Sequence, residues 1–451
     1  MSRTTDMTVG SPTKHILTFA LPLIITNFGQ QLYTIADAAI VGRGVGVGAL
    51  AAVGATDWCY WLILWSVMGL TLGFSTSVAR YFGEKNGEMT NKSIAMSAYL
   101  SAAIAIVMTI VGQLAIRPAL TLLNTPDDIM NGAITYLRVM VGGTLVVTAY
   151  NLAAAFLRAF GDGKSPLIAM IIAALLNIGL DVLFVFVFHW GILGAAVASV
   201  TSQLIAFLYC LLQLRKIEYI KLERSTWIPD RKLLKELFLF AAPMGAQHIA
   251  IAVGGIILQS AINMQGSSFI AGYTATNKVY GLLESSAFSV GLACSTFLSQ
   301  NYGAGNLERV KKGTKTGVWI VIVLALVILS FTLLGRWYIP QLFLDVNQPG
   351  GTEALAISVE YLTIVAACLV ILYLIHVYRN ALQAMEISVW SLISGIAELI
   401  CRVFMGKVVI HWIGITSLFY AEPAAWLGAL LTAMLPYFYY RKKLLNKNTV
   451  E

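Results

Sequence analysis

Twelve apolar runs, each long enough to cross a bilayer, dominate this chain. They lie near residues 15–39, 49–79, 93–116, 132–155, 165–188 and 191–213, then 236–263, 269–299, 316–339, 355–380, 388–412 and 419–440. A helix needs about 20 apolar residues to span. Hydrocarbon offers the backbone no hydrogen-bond partners, so only helices and closed barrels cross it. Runs of this length select helices, and the fold expected is an all-α polytopic membrane protein of about twelve transmembrane helices. The longest runs, 49–79 and 269–299, have to tilt or protrude. Composition agrees: 58% of residues are hydrophobic and 12% charged, against about 25% charged in soluble domains.

The net charge of +8 does not describe a polyanion-binding face, because the basic residues gather in short segments between apolar runs. Those segments hold Arg3 and Lys14; Arg80, Lys85 and Lys92; Arg158 and Lys164; the stretch from Arg215 to Lys235; Arg309 to Lys315; Arg379; and Arg441 to Lys447. They fall on alternate sides, and the bias of basic residues toward the cytoplasm puts both termini inside. Five cysteines (Cys59, Cys210, Cys294, Cys368, Cys401) all sit in apolar stretches without CxxC spacing. They read as small buried hydrophobes rather than disulfide or zinc ligands. The polar start, MSRTTDMTVGSPTKH, leads straight into the first apolar run, which serves as its own insertion signal.

The two halves resemble each other. ALAAVGATDWCY from residue 49 matches FIAGYTATNKVY from 269, and at the same offset Ser75-Thr76, Gly83 and Asn86 match Ser295-Thr296, Gly303 and Asn306. The runs before them end in LTFALP at Pro22 and LFLFAAP at Pro243. Six spans per half is an even number, so the repeats share one orientation and are related by an axis along the membrane normal. The expected organisation is an N-terminal six-helix lobe over 1–214, a polar cytoplasmic linker over 215–235 and a C-terminal six-helix lobe over 236–451.

Four carboxylates, Asp37, Asp181, Glu284 and Glu398, lie inside spanning runs. Each costs roughly 2.5–3.5 kcal/mol at a bilayer centre on the insertion scale, so each is a functional candidate by default. The jobs open to them are binding a proton, a metal ion or a cationic solute in transit. Asn177 and Asp181 share a helix face. Asp37, Asn151 and Ser199 could converge with them at one depth in the N-terminal half. Carboxylate, amide and hydroxyl oxygens suit a small hard cation, and Na⁺ at Asp37, Asn177 and Asp181 is one candidate. A proton held by either aspartate is the other, since burial and a like-charged neighbour both favour the protonated acid.

Glu398 and Arg402 stand i, i+4 and are expected to pair. Glu284 is expected to line a C-terminal cavity, together with Tyr273, Tyr280 and Glu398. The aromatics Trp58, Trp61, Trp65, Tyr273 and Tyr280 suit either cation–π contact with flat organic cations or an interfacial belt. Pro22 and Pro243 each remove a backbone hydrogen bond from a spanning helix and are hinge candidates. His248 and His376 are single and far apart in sequence, which favours ordinary polar contacts. There is no HExxH, Walker A or GxSxG motif in a suitable context, which argues against an enzyme and against ATP as the energy source. No cofactor is expected; transport would draw on an ion gradient.

At LRAFGDGKSPL (157–167) and NIGLDVLF (177–184) the chain resembles the MATE (multidrug and toxic compound extrusion) transporters. The resemblance continues in IADAAIVGRGVGVGALAAVG (35–54) and STFLSQNYGAGNLERVKKG (295–313), and covers about 15–440. It implies two pseudo-symmetric six-helix bundles in a V with a central cavity. It also implies a secondary-active exporter of cationic amphipathic drugs, antiporting against H⁺ or Na⁺, in the cytoplasmic membrane of a prokaryote. Asp37, Asn151, Asn177, Asp181 and Ser199 match the family's N-lobe cation site. Arg43 departs from the histidine common after the first-helix glycine, and Lys278 with Glu398–Arg402 departs from any C-lobe sodium site. The internal pseudo-symmetry makes a monomer sufficient. A flippase of lipid-linked oligosaccharide or peptidoglycan precursor is the alternative within the wider architecture. It would want an arginine-rich groove for pyrophosphate, and few arginines lie in spans. A membrane-embedded enzyme is a third reading, for which only the Asp37/Asp181 region offers a cluster.

Overall fold

The computed structural model describes residues 4–123 and 125–447, without the side chains at 32, 35, 36, 38, 39, 47, 57, 58 and 444–447. Among the described residues the regular structure is helical. The first half contains α1 (Pro12–Gly44), α2 (Val47–Gly83), α3 (Gly87–Leu122), α4 (Asp127–Gly142), α5 (Thr144–Ala159), α6 (Lys164–Asp181) and α7 (Gly191–Leu214). The second contains α8 (Arg231–Asn263), α9 (Ser267–Gly303), α10 (Leu307–Gly335), α11 (Gly351–Ala384), α12 (Val389–Phe404), the short α13 (Ile410–Ile413) and α14 (Thr416–Phe419), and α15 (Ala421–Lys447). Among the described residues, eight helices are long and apolar enough to cross a membrane, or nine when α4 and α5, bent by 46° at Gly143, form one span. The expected Trp58 contact falls on a side chain outside the described set. The 37 residues of α2 and of α9 make helices of roughly 55 Å, well beyond the roughly 30 Å hydrocarbon layer.

The internal repeat is visible in matched helix ends. α1 and α8 each have 33 residues, and α2 and α9 each have 37. α2 and α9 both start after a positive-φ glycine, Gly46 and Gly266. α3 and α10 start at asparagine caps: Asn86 Oδ1 accepts from the Met89 amide and Asn306 Oδ1 from the Arg309 amide, each at 3.1 Å. Such a cap satisfies a backbone donor that the first helical turn leaves open. The fifth spans also agree, since α6 runs into a π-helical segment, Val182–Val187, and α12 into another, Met405–Val409.

Two compact units emerge, and their limits differ from the expected lobes. Of the described residues, one holds those up to 7 and from 25 to 245, the other those from 8 to 24 and from 246 on. The limits fall inside α1 and α8, at Ile25 and Ala246, just past Pro22 and Pro243. The polar stretch 215–235 belongs to the first unit, where it packs along α3: Asn91 Oδ1 accepts the Lys221 amide at 2.9 Å, and Tyr99 donates its hydroxyl to the Trp227 carbonyl at 3.0 Å. Between these contacts, Phe82, Phe160 and Tyr219 stack edge-on. Sequence alone reads such a stretch as a tether because its charges are visible and its backbone contacts are not.

Within the second unit, α11 packs between α9 and α15 and carries a buried aromatic stack. Tyr273 and Tyr361 lie face to face at 4.3 Å, flanked by Phe269 and Phe419. The Tyr361 hydroxyl donates to that of Tyr273 at 3.0 Å. Tyr273 is only 2% exposed, so its ring is core. This corrects the expectation that it lines a cavity.

Candidate functional site

α1 and α6 meet closely because glycines flank the contact. A Cβ at Gly29 would come within 2.6 Å of Met170 Cε, and one at Gly44 within 2.7 Å of Val185 Cγ1. Asp37 lies between those two glycines on α1. Asp181 lies between Met170 and Val185, at the last α-helical residue before the π segment. A π turn changes the direction of side chains relative to the preceding turns and is common at functional sites. The two close approaches thus bring Asp37 and Asp181 face to face, within hydrogen-bonding range of each other.

Asp181 is fully buried, and both of its oxygens, together with Asp37 Oδ1, find no hydrogen-bond partner among the described residues. Asn177, one turn before Asp181 and 1% exposed, donates its amide to Ser199 Oγ on α7 at 3.3 Å. That leaves Asn177 Oδ1 buried and unpartnered. Ser199 is held in turn, its carbonyl accepting from Ser202 Oγ at 2.9 Å. Buried polar atoms are nearly always satisfied, so four unspent oxygens in one place are an anomaly that a proton or a small cation removes. The set is all oxygen and fits Na⁺ by donor chemistry. Asn151, the fifth expected residue, is half-buried on α5 and donates its amide to the Val147 carbonyl at 2.8 Å, within its own helix. Tyr33, which sequence reasoning passed over, lies close to both aspartates. Its i, i+4 spacing from Asp37 is the signal that marks it.

The second unit treats its acids differently. Glu398 is 5% exposed and held from both sides: Arg379 Nη2 donates to Oε1 at 2.6 Å and Arg402 Nη2 to Oε2 at 3.2 Å. Arg379 also donates to Ser394 Oγ at 2.7 Å. Arg402 forks onto Glu422, Nε to Oε1 at 3.0 Å and Nη2 to Oε2 at 2.9 Å. The expected Glu398–Arg402 pair is therefore the middle of a four-residue ladder. The ladder also corrects three expectations. Arg379 is not in a cytoplasmic loop; it is 6% exposed inside α11, which continues to Ala384. Glu398 is enclosed by its arginines rather than open to a cavity. His248 and His376 are not isolated, for both stand near Arg379 and each other. Glu422, at the head of α15, was missed because it lies at the edge of the last apolar run.

Glu284 stands one turn after Tyr280, within hydrogen-bonding reach of its hydroxyl and near Glu398, Arg402 and Glu422. Tyr280 itself stacks on Trp426 at 5.6 Å. Lys278 is exposed and takes no part in the ladder. Trp61 and Trp65 meet edge-on at 6.0 Å, with Trp61 40% exposed, as a belt residue would be. The buried arginines Arg379 and Arg402 are committed to glutamates, so they do not form the free basic groove that a pyrophosphate carrier would want. All five cysteines are free.

Comparison with known proteins agrees with this architecture. The MatE family model matches residues 22–183 and again 243–408, the two halves of the repeat. Among curated proteins, the chain is 26% identical over 410 residues to the probable multidrug resistance protein YoeA of Bacillus subtilis, covering 89% of this chain and 82% of that one. It is 23% identical over 401 residues to a FAD transporter of Shewanella oneidensis, covering 85% of each. Among solved structures, MATE in the bent conformation superposes with a TM-score of 0.89 at 23% identity, covering 99% of this chain and 98% of that one. An outward-facing multidrug resistance MATE transporter of the MOP superfamily gives the same TM-score and covers 98% of each chain.

Proposed function

Because the chain belongs to the MATE family, and so is a multi-pass membrane transporter of the multidrug-efflux type, we propose that it exports cationic amphipathic compounds in exchange for H⁺ or Na⁺. The coupling ion binds at Asp37 and Asp181, with Asn177 Oδ1 as third ligand and Ser199 as its anchor. Asn151 joins them from α5. The membrane is the cytoplasmic membrane of a prokaryote, both termini face the cytoplasm, and one copy is sufficient.

The observation that carries this reading is the pair of neighbouring aspartates in which Asp37 Oδ1 and both Asp181 oxygens are buried without a hydrogen-bond partner among the described residues. Two adjacent carboxylates resist ionising together. One proton shared between them, or one Na⁺ across them, relieves the repulsion, and losing it restores the strain. The ion and the drug must prefer different conformations of the transporter, since without differential affinity neither drives the other. Pro22 and Pro243 are where that difference is absorbed, because α1 and α8 pass from one compact unit to the other just beyond them. Ion binding at Asp37 reports to the Pro22 hinge along a single helix.

Proteoliposomes test the proposal directly. Ethidium efflux is followed with a proton gradient or a sodium gradient imposed separately. One gradient is expected to drive efflux in the native protein and neither in Asp37→Asn. Gradient-driven efflux that persists in Asp37→Asn refutes the N-lobe site.

A further inference from the structure

Arg402 sits where a cation would. Its guanidinium takes Glu422 Oε1 and Oε2 at 3.0 and 2.9 Å and Glu398 Oε2 at 3.2 Å, and it points Nη1 at the Ile251 carbonyl at 3.5 Å. The oxygens come from α8, α12 and α15, three separate helices. Gly254 lets α8 approach α12 beside the arginine, since a Cβ there would lie 3.1 Å from Leu399 Cα. Glu284 adds a further acid nearby. Two carboxylates and a carbonyl converging from different elements form a hard-oxygen shell. A fork-shaped guanidinium matches carboxylates well, but unlike a diffusible ion it cannot leave.

We propose that Arg402 is a tethered cation filling a latent alkali-cation site, and that it thereby confines exchangeable ion binding to the other half of the molecule. The role rests on the proposed coupling at Asp37 and Asp181; the occupancy of the shell by Arg402 does not. The consequence is specific. Without the guanidinium, Glu398 and Glu422 face each other across a vacated position, and Na⁺ becomes the cheapest way to compensate them. Arg379 still serves Glu398, so the vacated position wants one positive charge.

The experiment uses the full chain purified in detergent with Asp37→Asn and Asp181→Asn, so that no sodium response comes from the N-lobe aspartates. Thermal unfolding is measured in NaCl and in choline chloride at equal ionic strength, with ²²Na⁺ binding measured alongside. The parent is expected to unfold at the same temperature in both salts. Adding Arg402→Gln is expected to give a sodium-specific rise of about 5 °C, as a ligand that binds only the folded state does, together with bound ²²Na⁺. Adding Glu422→Gln on top is expected to abolish both. Arg402→Lys, which keeps the charge, is expected to behave like the parent. A folded Arg402→Gln protein that unfolds alike in both salts and binds no ²²Na⁺ overturns the proposal. If Arg402→Gln does not fold in choline, recovery of monodisperse protein in NaCl supports it. Failure in both salts while Arg402→Gln/Glu422→Gln folds overturns it, because the arginine is then only an ion-pair partner. Transport is not read in this experiment, so its failure and the failure of the Asp37 coupling test remain distinguishable.

Discussion

The fifth span of each repeat carries a buried acid and runs into a π-helical segment, Asp181 at the segment's edge and Glu398 further back in α12, and the two acids have opposite surroundings. Asp181 has a second aspartate opposite it and no hydrogen-bond partner among the described residues. Glu398 has an arginine on each side. One backbone plan therefore supports two electrostatic outcomes. An acid facing an acid has two states of similar energy, occupied and empty, and a transporter can drive one into the other. An acid between arginines has a single state and serves as a rivet. Pseudo-symmetry of the fold does not carry over to its chemistry: the first unit sets an acid against an acid, and the second sets its acid between arginines.

Matched acid-to-amide substitutions give the sharpest contrast. Glu398→Gln removes the negative centre of the ladder and leaves Arg379 buried without its counter-charge. Breaking a buried pair in this way costs about 3–5 kcal/mol, and the thermal midpoint is expected to fall by roughly 5 °C. Differential scanning fluorimetry reads this, and a midpoint within 2 °C of native would show that the ladder is not a rivet. Asp181→Asn is expected to do the reverse. No attractive partner is lost, so the midpoint stays within about 2 °C of native or rises. Gradient-driven efflux falls at least tenfold, which corresponds to about 1.4 kcal/mol of coupling. Equal losses of stability in both variants would erase the distinction between the two lobes.

A smaller effect probes how the unpaired oxygens are aimed. Ser199→Ala deprives the Asn177 amide of its acceptor, so the side chain is free to rotate its NH₂ toward the aspartates. Apparent affinity for the coupling ion is expected to drop about three- to tenfold, about 1 kcal/mol, the ordinary worth of one such hydrogen bond. Maximal efflux at saturating ion should be preserved. A drop in maximal efflux with unchanged ion affinity would place Ser199 in the drug path instead.

Much of this was legible in the residues, for identifiable reasons. Apolar length alone locates the spans, and the repeat match between Asn86 and Asn306 was legible because both halves keep the same local cap. Asp37 and Asp181 stand out because ionisable groups in hydrocarbon are rare, and Asn177 because it shares a helix face with Asp181. What escaped depends on partners distant in sequence. Arg379 reads as the basic end of a span, and only Glu398 from the next helix explains why α11 carries it inside. Glu422 hides at the edge of the last run. The bend at Gly143 was read through, since the glycine pair Gly142-Gly143 interrupts an otherwise continuous apolar stretch without a charge to flag it. The unit limits inside α1 and α8 are properties of packing, and no local pattern encodes them.

The weakest expected effect is also the control on the comparison. If the lobes differ in charge placement and not in backbone design, devices shared by the repeat should be worth the same in each. Asn86 and Asn306 cap α3 and α10 with the same 3.1 Å bond to the residue three positions on. Alanine at such a cap costs about 1 kcal/mol. Asn86→Ala and Asn306→Ala are each expected to lower the thermal midpoint by a few degrees and to leave ion affinity and efflux unchanged. Asn301, which binds the Arg309 side chain at 2.8 Å, braces the second cap from outside the turn, and Asn306→Ala should therefore show the smaller loss of the two. A large loss at only one cap would mean that the repeats have diverged in backbone as well as in charge. The opposed behaviour of Asp181 and Glu398 would then need no electrostatic explanation.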